Sequence, residues 1–168
     1  MKNSIKLTMI TCLLLSNVFS QEKGNGFGFT FNGGSSIMSL MMGAESIAPT
    51  VYYIYNLPSG TIEPSLGYFS TSSNGETSSM TTLGVGYLKN RSQSDNFDTY
   101  WGGRFAMTMN SDADDSILSI APVCGAEYSF SNNFSIGGET RFNHSMSTGD
   151  DESSIRNISA HLFFRFYK

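Results

Sequence analysis

The side chains best suited to proton transfer near neutral pH are the two histidines of this sequence. His144 is followed by Ser145 and Ser147, and a serine hydroxyl beside a histidine base is an arrangement used for nucleophilic hydrolysis. Glu139 could act as the acid that orients such a histidine. A histidine among serines, in a link after a strand, is more commonly a solvated polar residue, and we expect His161 to be a packed, hydrogen-bonding interior residue. We therefore predict no catalytic residue.

Carboxylates are the second group that could do chemistry. Four polar links, 33–46, 71–79, 110–116 and 144–154, contain eight acids and no lysine or arginine. The acids are Glu45, Glu76, Asp112, Asp114, Asp115, Asp150, Asp151 and Glu152. Clustered carboxylates favour divalent cations, which could bridge these links to phosphate groups. The spacing matches no calcium-loop motif, and we favour a solvated acidic surface, so the sequence predicts no resident metal and no cofactor.

These residues belong to a chain that alternates apolar and polar side chains. Eight stretches alternate with a period of two, with clusters of Ser, Asn, Gly and Asp between them, which is typical of strands and turns. The stretches are Gly26–Asn32, Ile47–Asn56, Thr61–Ser70, Met80–Leu88, Phe97–Met109, Ile117–Phe130, Phe134–Asn143 and 157–167. No convincing helical period follows the first twenty residues.

Charged residues within these stretches lie on the face opposite the aromatic residues. Among them are three acids and three bases: Glu63, Arg104, Glu127, Glu139, Arg141 and Arg165. The closing sequence HLFFRFYK places Arg165 between Phe164 and Phe166. An arginine that faces lipid near a bilayer centre costs roughly 2–4 kcal/mol, whereas opposite charges inside a barrel can pair, and an unpaired buried charge is unfavourable. The alternation thus predicts an interior charge network and an apolar outer face.

The connections favour an all-β, eight-stranded, antiparallel up-and-down transmembrane β-barrel. Tight turns at 56–60 and 131–133 alternate with the four longer links, although 89–96 also reads as a link of about eight residues. An eight-stranded barrel has an interior just wide enough for side chains, so we expect no large pore. Pro49, Pro64 and Pro122 are expected at strand ends or bulges. Cys124 should face outward, and Tyr55, Tyr68, Trp101 and Tyr128 could form aromatic girdles at the membrane surfaces.

The first twenty residues read as a secretory signal. They begin with Lys2 and Lys6, continue through a short apolar run and end in Val18-Phe19-Ser20. We expect a signal peptide at 1–20 and a barrel domain at 21–168. Loss of the signal would leave 8 basic against 14 acidic residues, a net charge near −6, which argues against nucleic acid as a partner. Cys124 would be the one cysteine left, so no intrachain disulfide is expected.

A resemblance to a known family is carried by three segments: APVCGAEYSFSNNFSIGGETRF, IEPSLGY and the aromatic last strand. Through them the chain resembles the small outer-membrane β-barrel proteins of the OmpX and OmpA-barrel type, a porin-like barrel domain. The resemblance implies the outer membrane of a Gram-negative bacterium, with outer-membrane lipid and lipopolysaccharide as neighbours. It also implies that the barrel-insertion machinery reads the last strand through Ile158, Leu162, Phe164 and Phe166. In this chain Tyr167 and Lys168 follow the final Phe, unlike the family pattern.

Three functions remain open at this point. The sequence favours an outer-membrane barrel with a structural or surface-interaction role, a filled interior and acidic extracellular loops, and no enzymatic activity. One alternative is a lipid A-modifying barrel enzyme, since deacylases of the PagL type are eight-stranded barrels that use a His and a Ser. The other is a soluble secreted barrel that binds an apolar ligand, which would require the aromatic faces to turn inward.

Overall fold

The computed structural model describes residues 24–32, 49–73, 76–94, 96–111, 116–148 and 153–168, which form eight strands. In chain order these are β1 (Gly26–Asn32), β2 (Thr50–Leu57), β3 (Gly60–Ser73), β4 (Glu76–Ser94), β5 (Phe97–Asn110), β6 (Ser116–Ser131), β7 (Phe134–Ser147) and β8 (Ser154–Tyr167). Among the described residues, no helix is long and apolar enough to cross a membrane. The predicted signal at 1–20 lies outside the described residues.

The eight strands form one closed antiparallel barrel in which each strand pairs with its neighbours in sequence. The barrel is closed by β1 and β8, whose register places Phe27 opposite Phe166 and Gly28 opposite Arg165. Both ends of the chain's barrel segment therefore lie at the end that also carries the turns 57–60, 94–97 and 131–134, which we call the short-turn end. The opposite end is the long-link end. The prediction of an eight-stranded up-and-down barrel is confirmed.

Three predicted links are wrong because strands continue through them. The 89–96 link is strand, since β4 runs to Ser94 and pairs with β5 around a bulge at Ser92/Ser94. Most of 71–79 is paired strand, and β7 continues to Ser147. These segments are rich in Ser, Thr and Asn, so they lack the apolar alternation that identifies a half-buried strand, yet their backbones still pair. Residues 47 and 48 of the second predicted strand lie outside the described residues, and that strand begins at Thr50.

Two of the three prolines also lie where we did not expect them. Pro49 directly precedes β2, as predicted, but Pro64 and Pro122 are inside β3 and β6 with no bulge beside them. Between β2 and β3, two successive residue pairs are missing from the ladder at Pro64, and pairing then resumes in the same register. Between β6 and β7, two successive pairs are missing at Pro122 in the same way. A proline lacks the N–H of one ladder bond, and each strand's other neighbour keeps an unbroken register.

Aromatic and aliphatic side chains of the barrel cover its outer surface. Trp101 is 63% exposed and Tyr68 61%, and many more large apolar residues on the same strand faces are exposed. The interior holds the charged residues and a small apolar core of Tyr52, Ile54, Leu88, Tyr100, Ala121, Val123 and Phe163. The soluble-barrel alternative required the aromatic faces inside, and this arrangement does not provide that feature.

Inward glycines make room for the large interior side chains. In four strand pairs a glycine is register-paired with a large inward residue that covers it: Gly28 with Tyr52, Gly86 with Arg104, Gly125 with Tyr100 and Gly137 with Phe163. A Cβ atom on Gly125 would lie 2.5 Å from Cζ of Tyr100, and one on Gly137 would lie 2.2 Å from Cζ of Phe163. Real Cβ atoms do not approach other atoms so closely, so these rings occupy the space that a side chain would need.

We expect Gly125→Ala to destabilise the barrel by about 1–3 kcal/mol, the usual cost of overpacking a filled interior. The new methyl group would displace the Tyr100 ring, whose hydroxyl donates to Glu139 at 2.9 Å. Urea unfolding of the purified protein in detergent measures the effect. Gly138→Ala is the matched control, because its Cβ would lie 3.9 Å from the backbone oxygen of His161, an ordinary van der Waals contact. Equal losses in both variants would contradict the packing argument.

Candidate functional site: the charged interior

Arg165 of β8 lies at the centre of the barrel interior. Its side chain is buried; one terminal nitrogen donates to Oε1 of Glu63 at 2.6 Å and the other donates to Glu127. Its Nε donates to the hydroxyl of Tyr52 at 3.3 Å. The guanidinium carbon also lies 4.4 Å from the ring centre of Phe163, and a cation over an aromatic face is attracted by the ring quadrupole. Every donor nitrogen of this cation therefore has a partner.

Arg104 of β5 links two carboxylates from different sides of the barrel. Its Nη2 donates to Glu63 at 2.8 Å and to Glu139 at 2.7 Å, and its Nε donates to Glu139 at 2.7 Å. The two-point contact with Glu139 is the fork geometry that makes arginine–carboxylate pairs strong. Since Glu63 also accepts from Arg165, this glutamate joins both arginines into one network.

The remaining charged residues complete the network at its two ends. Arg141 donates to Glu139 at 2.5 Å, toward the long-link end. Glu127, at the short-turn end, accepts from the hydroxyls of Ser135 at 2.5 Å and Tyr167 at 2.6 Å. The six sequence-predicted residues, three acids and three bases, are thus all joined through five ion pairs, and their formal charges cancel.

Toward the long-link end the interior changes to small polar side chains. Thr82 and Thr108 share a hydrogen bond of 2.9 Å, and Ser119 and Ser145 share one of 2.8 Å. His161 bonds through Nε2 to Ser159 at 2.8 Å. The predicted packing of His161 as a hydrogen-bonding interior residue agrees with this contact.

The charge network blocks the middle of the barrel. A water-filled path would need the arginines to part from carboxylates that are almost fully buried, and breaking one partner from a buried pair costs about 3–5 kcal/mol. The aromatic rings of Tyr52, Tyr100 and Phe163 fill the space around the guanidinium groups. Chemically, this arrangement holds three positive and three negative side chains together in the middle of the barrel.

The structure does not assemble the imagined His–Ser–Glu combination. His144 lies on β7 and not in a loop, because that strand continues to Ser147. Its parity places it on the outer face with Phe142, while Ser145 and Glu139 face the interior. Glu139 is occupied by Arg104, Arg141 and Tyr100. These residues therefore do not form a hydrolytic site.

Seven of the eight acids of the four links are outside the part of the chain that the structure describes. Glu45, Asp112, Asp114, Asp115, Asp150, Asp151 and Glu152 lie outside the described residues, and Glu76 begins β4. No group of three His, Cys, Asp or Glu side chains within the described ranges could hold a metal ion. The solvated acidic surface that we favour for these links, and the alternative of divalent cations bound to them, both stay predictions.

Residues predicted from the last strand and the girdles face outward. Ile158 and Leu162 are exposed on the outer wall, and Phe166 stacks on Phe27 with ring centres 5.3 Å apart. Phe164 packs against Phe29 across the seam between β8 and β1, with ring centres 5.9 Å apart. Tyr68, Trp101 and Tyr128 are exposed, Tyr55 is half-buried, and Cys124 is exposed on the outer face.

Sequence reasoning missed the tyrosines of the network. Tyr52 and Tyr100 lie on the inward parity of aromatic-rich strands, and we considered only the aromatic residues on the outward parity. The signal was present, since Gly28 and Gly125 occur at inward positions of the neighbouring strands. A large residue on the polar face, beside a glycine, indicates a side chain that fills the lumen.

Comparison with known proteins supports the fold alone. No protein-family model and no curated protein matches the chain. Among solved structures, the chain is similar to Neisserial surface protein A (NspA), with a TM-score of 0.54 and 11% sequence identity over 86% of this chain and 94% of that one. It also matches OmpT, an outer membrane protein of Vibrio cholerae, with a TM-score of 0.37 and 12% identity over 73% of this chain and 41% of that one. The second score is too low to carry an argument, so the chain shares its barrel architecture with a neisserial surface protein.

Proposed function

We propose that this protein is an integral β-barrel of a bacterial outer membrane, with a structural or surface-interaction role, and that it is neither an open channel nor an enzyme. The observation that carries the proposal is that charged side chains are buried inside the barrel and apolar side chains are exposed outside, the reverse of a water-soluble protein. Glu63 is 0% exposed and Arg165 2%, while Ile158 is 68% exposed. A barrel with this distribution of side chains is favoured in lipid, where apolar walls need no further burial and interior charges can pair.

The outer wall of β8 supports the membrane assignment. From Phe166 to Ile158 its outward residues are all apolar: Phe166, Phe164, Leu162, Ala160 and Ile158. The proposed contacts of this wall are outer-membrane lipid and, during assembly, the barrel-insertion machinery, which would read Ile158, Leu162, Phe164 and Phe166. The acidic links would face the outside of the cell, where divalent cations could join them to lipopolysaccharide.

The experiment that tests the proposal is a heat-modifiability gel on fractionated cell envelopes. The outer-membrane fraction is run in detergent with and without boiling, and we expect the unboiled protein to migrate apart from the boiled band. Planar-bilayer recordings of the purified protein then test the closed interior, for which no stepwise conductance is expected. Recovery in the soluble fraction without a gel shift would overturn the membrane assignment, and large stable conductance steps would overturn the closed barrel.

Cys124 offers a natural reporter of the lipid-facing wall. It lies seven residues from the short-turn end of β6 and is exposed on the outer face. The chain without residues 1–20 is labelled with a nitroxide on Cys124 and folded into lipid vesicles. We expect dissolved oxygen to broaden the nitroxide spectrum, and we expect an aqueous nickel chelate to leave it nearly unchanged. Ser70→Cys in a Cys124→Ser background is the control near the long-link end, where the nickel chelate should have access. Strong nickel broadening at Cys124 would place that wall in water.

A further inference from the structure

One cation stands apart from all others on the barrel. Among the described residues, Arg104, Arg141 and Arg165 lie inside, while Lys89, Arg91 and Lys168 belong to the short-turn end. Arg156 is the one remaining lysine or arginine, and it lies on the outer wall near the long-link end of β8. It has no ion pair with any carboxylate of the described residues. Within the described part of the chain, this guanidinium is a positive charge on the rim of an apolar wall with no carboxylate bound to it.

His144 lies directly beside this arginine. The two residues are register-paired across β7 and β8, and both face outward. Nε of Arg156 donates to Nδ1 of His144 at 3.4 Å. In the neutral imidazole that accepts this bond, the ring proton is on Nε2. The two terminal nitrogens of Arg156 and the Nε2–H of His144 are therefore donors on one exposed patch. A guanidinium fork with a neighbouring N–H matches the oxygens of a phosphate.

The height of the pair matches the edge of a lipid layer. Ten residues separate Arg156 from Phe166 on the same face of β8. At about 3.3 Å per residue and a strand tilt of about 40°, this distance corresponds to roughly 25 Å along the barrel axis, which is the height of the apolar band of such barrels. The pair therefore lies one bilayer thickness above the aromatic residues of the short-turn end.

An apolar surface continues from the pair toward the middle of the barrel. Ile120 is register-paired with His144, and Phe142 with Ile158. These three apolar side chains are 53%, 49% and 68% exposed. A cationic patch above an exposed apolar wall has the two parts that an amphiphile requires, one for a charged head group and one for acyl chains.

We propose that Arg156 and His144 bind a phosphate group of an outer-leaflet lipid, whose acyl chains lie on Ile120, Phe142 and Ile158. The inference rests on the proposed membrane location and adds to it the residues and the chemical class of the ligand. The site holds a phosphorylated lipid at the junction of β6, β7 and β8. It requires no residue of the charged interior.

The test titrates the purified, detergent-folded protein with bis-phosphorylated lipid A and reads bound lipid by native mass spectrometry. Dephosphorylated lipid A and inorganic phosphate are the comparison ligands. We expect the phosphorylated lipid to bind at least about 10-fold more tightly than the dephosphorylated one, and the double variant Arg156→Gln/His144→Gln to lose that difference, since a charge-assisted hydrogen bond accounts for a factor of this order. Arg156→Lys should keep part of it, and Lys89→Gln, a cation at the other end, should leave it unchanged.

The outcomes separate this inference from the proposed function. A heat-dependent gel shift of every variant verifies that each has folded. If the double variant folds and still binds the phosphorylated lipid as tightly as the unchanged protein does, the proposed site is wrong. The membrane assignment would not be affected by that result. If inorganic phosphate binds as tightly as the phosphorylated lipid, the proposal that the ligand is a lipid is wrong. Loss of the gel shift in the unchanged protein would instead remove the membrane location on which the site rests.

Discussion

Arg165→Leu is expected to lower the free energy of unfolding by about 3–5 kcal/mol, the usual cost of removing one partner from a buried ion pair. Leucine would remove the guanidinium that donates to both Glu127 and the fully buried Glu63, and Glu63 would keep its bond from Arg104. The cation that lies over the Phe163 ring would be lost as well. Urea titration of the barrel in detergent, followed by tryptophan fluorescence and by the gel shift, measures the change.

Two further variants separate the charge effect from lost packing. Glu127→Gln in the Arg165→Leu background removes the buried negative charge that the Arg165 guanidinium had balanced, so the double variant should be more stable than Arg165→Leu alone. Lys89→Leu removes an exposed cation from the outer wall and should change stability by no more than about 0.5 kcal/mol. If Arg165→Leu costs no more than Lys89→Leu, the network does not stabilise the barrel.

Ala160→Arg is expected to destabilise the barrel in lipid vesicles by about 2–4 kcal/mol, because it places a charge near the middle of the wall that we propose faces lipid. Ala160 is an exposed outward residue of β8, six residues from Phe166, and its small side chain means that little packing is lost. The measurement is urea unfolding and refolding in vesicles, without the insertion machinery, so that an effect on assembly in the cell does not enter. In a protein surrounded by water the same arginine would cost little.

Ser154→Arg provides the depth control on the same strand and face. Ser154 is exposed and lies twelve residues from Phe166, beyond the apolar part of the wall. An arginine near the interface costs only about 0–1 kcal/mol. Similar effects at Ala160 and Ser154 would mean that the wall of β8 does not face a bilayer.

Alternation along the strands was sufficient to predict the barrel and the inward parity of its charges. Arg165 between Phe164 and Phe166 can be assigned to one face because side chains in a strand point alternately to opposite sides. The same rule could have placed His144 on the outer wall, since it shares parity with Phe142, had the strand not been ended at Asn143. Periodicity therefore predicted faces well and strand ends poorly.

The partners within the network could not be predicted from the sequence. Glu63 is close to Arg104 and Arg165 only because β3, β5 and β8 curve toward one another across a closed barrel, and contact across the lumen depends on closure and register as much as on alternation. The extended ends of β4 and β7 were missed for a different reason. Their hydroxyl-rich residues pair through the backbone while they carry no apolar face that marks a strand.

The glycines that lie opposite large interior residues also constrain how the strands can align during folding. A slip of one residue exchanges the inner and outer faces, so alternation alone excludes it. A slip of two residues keeps every face and would satisfy the same hydrophobic pattern. It would, however, move Tyr100 from Gly125 to Val123 or Glu127, and Phe163 from Gly137 to Ser135 or Glu139. Four such pairs, each in a different strand interface, therefore select one barrel among several that the apolar pattern by itself would allow.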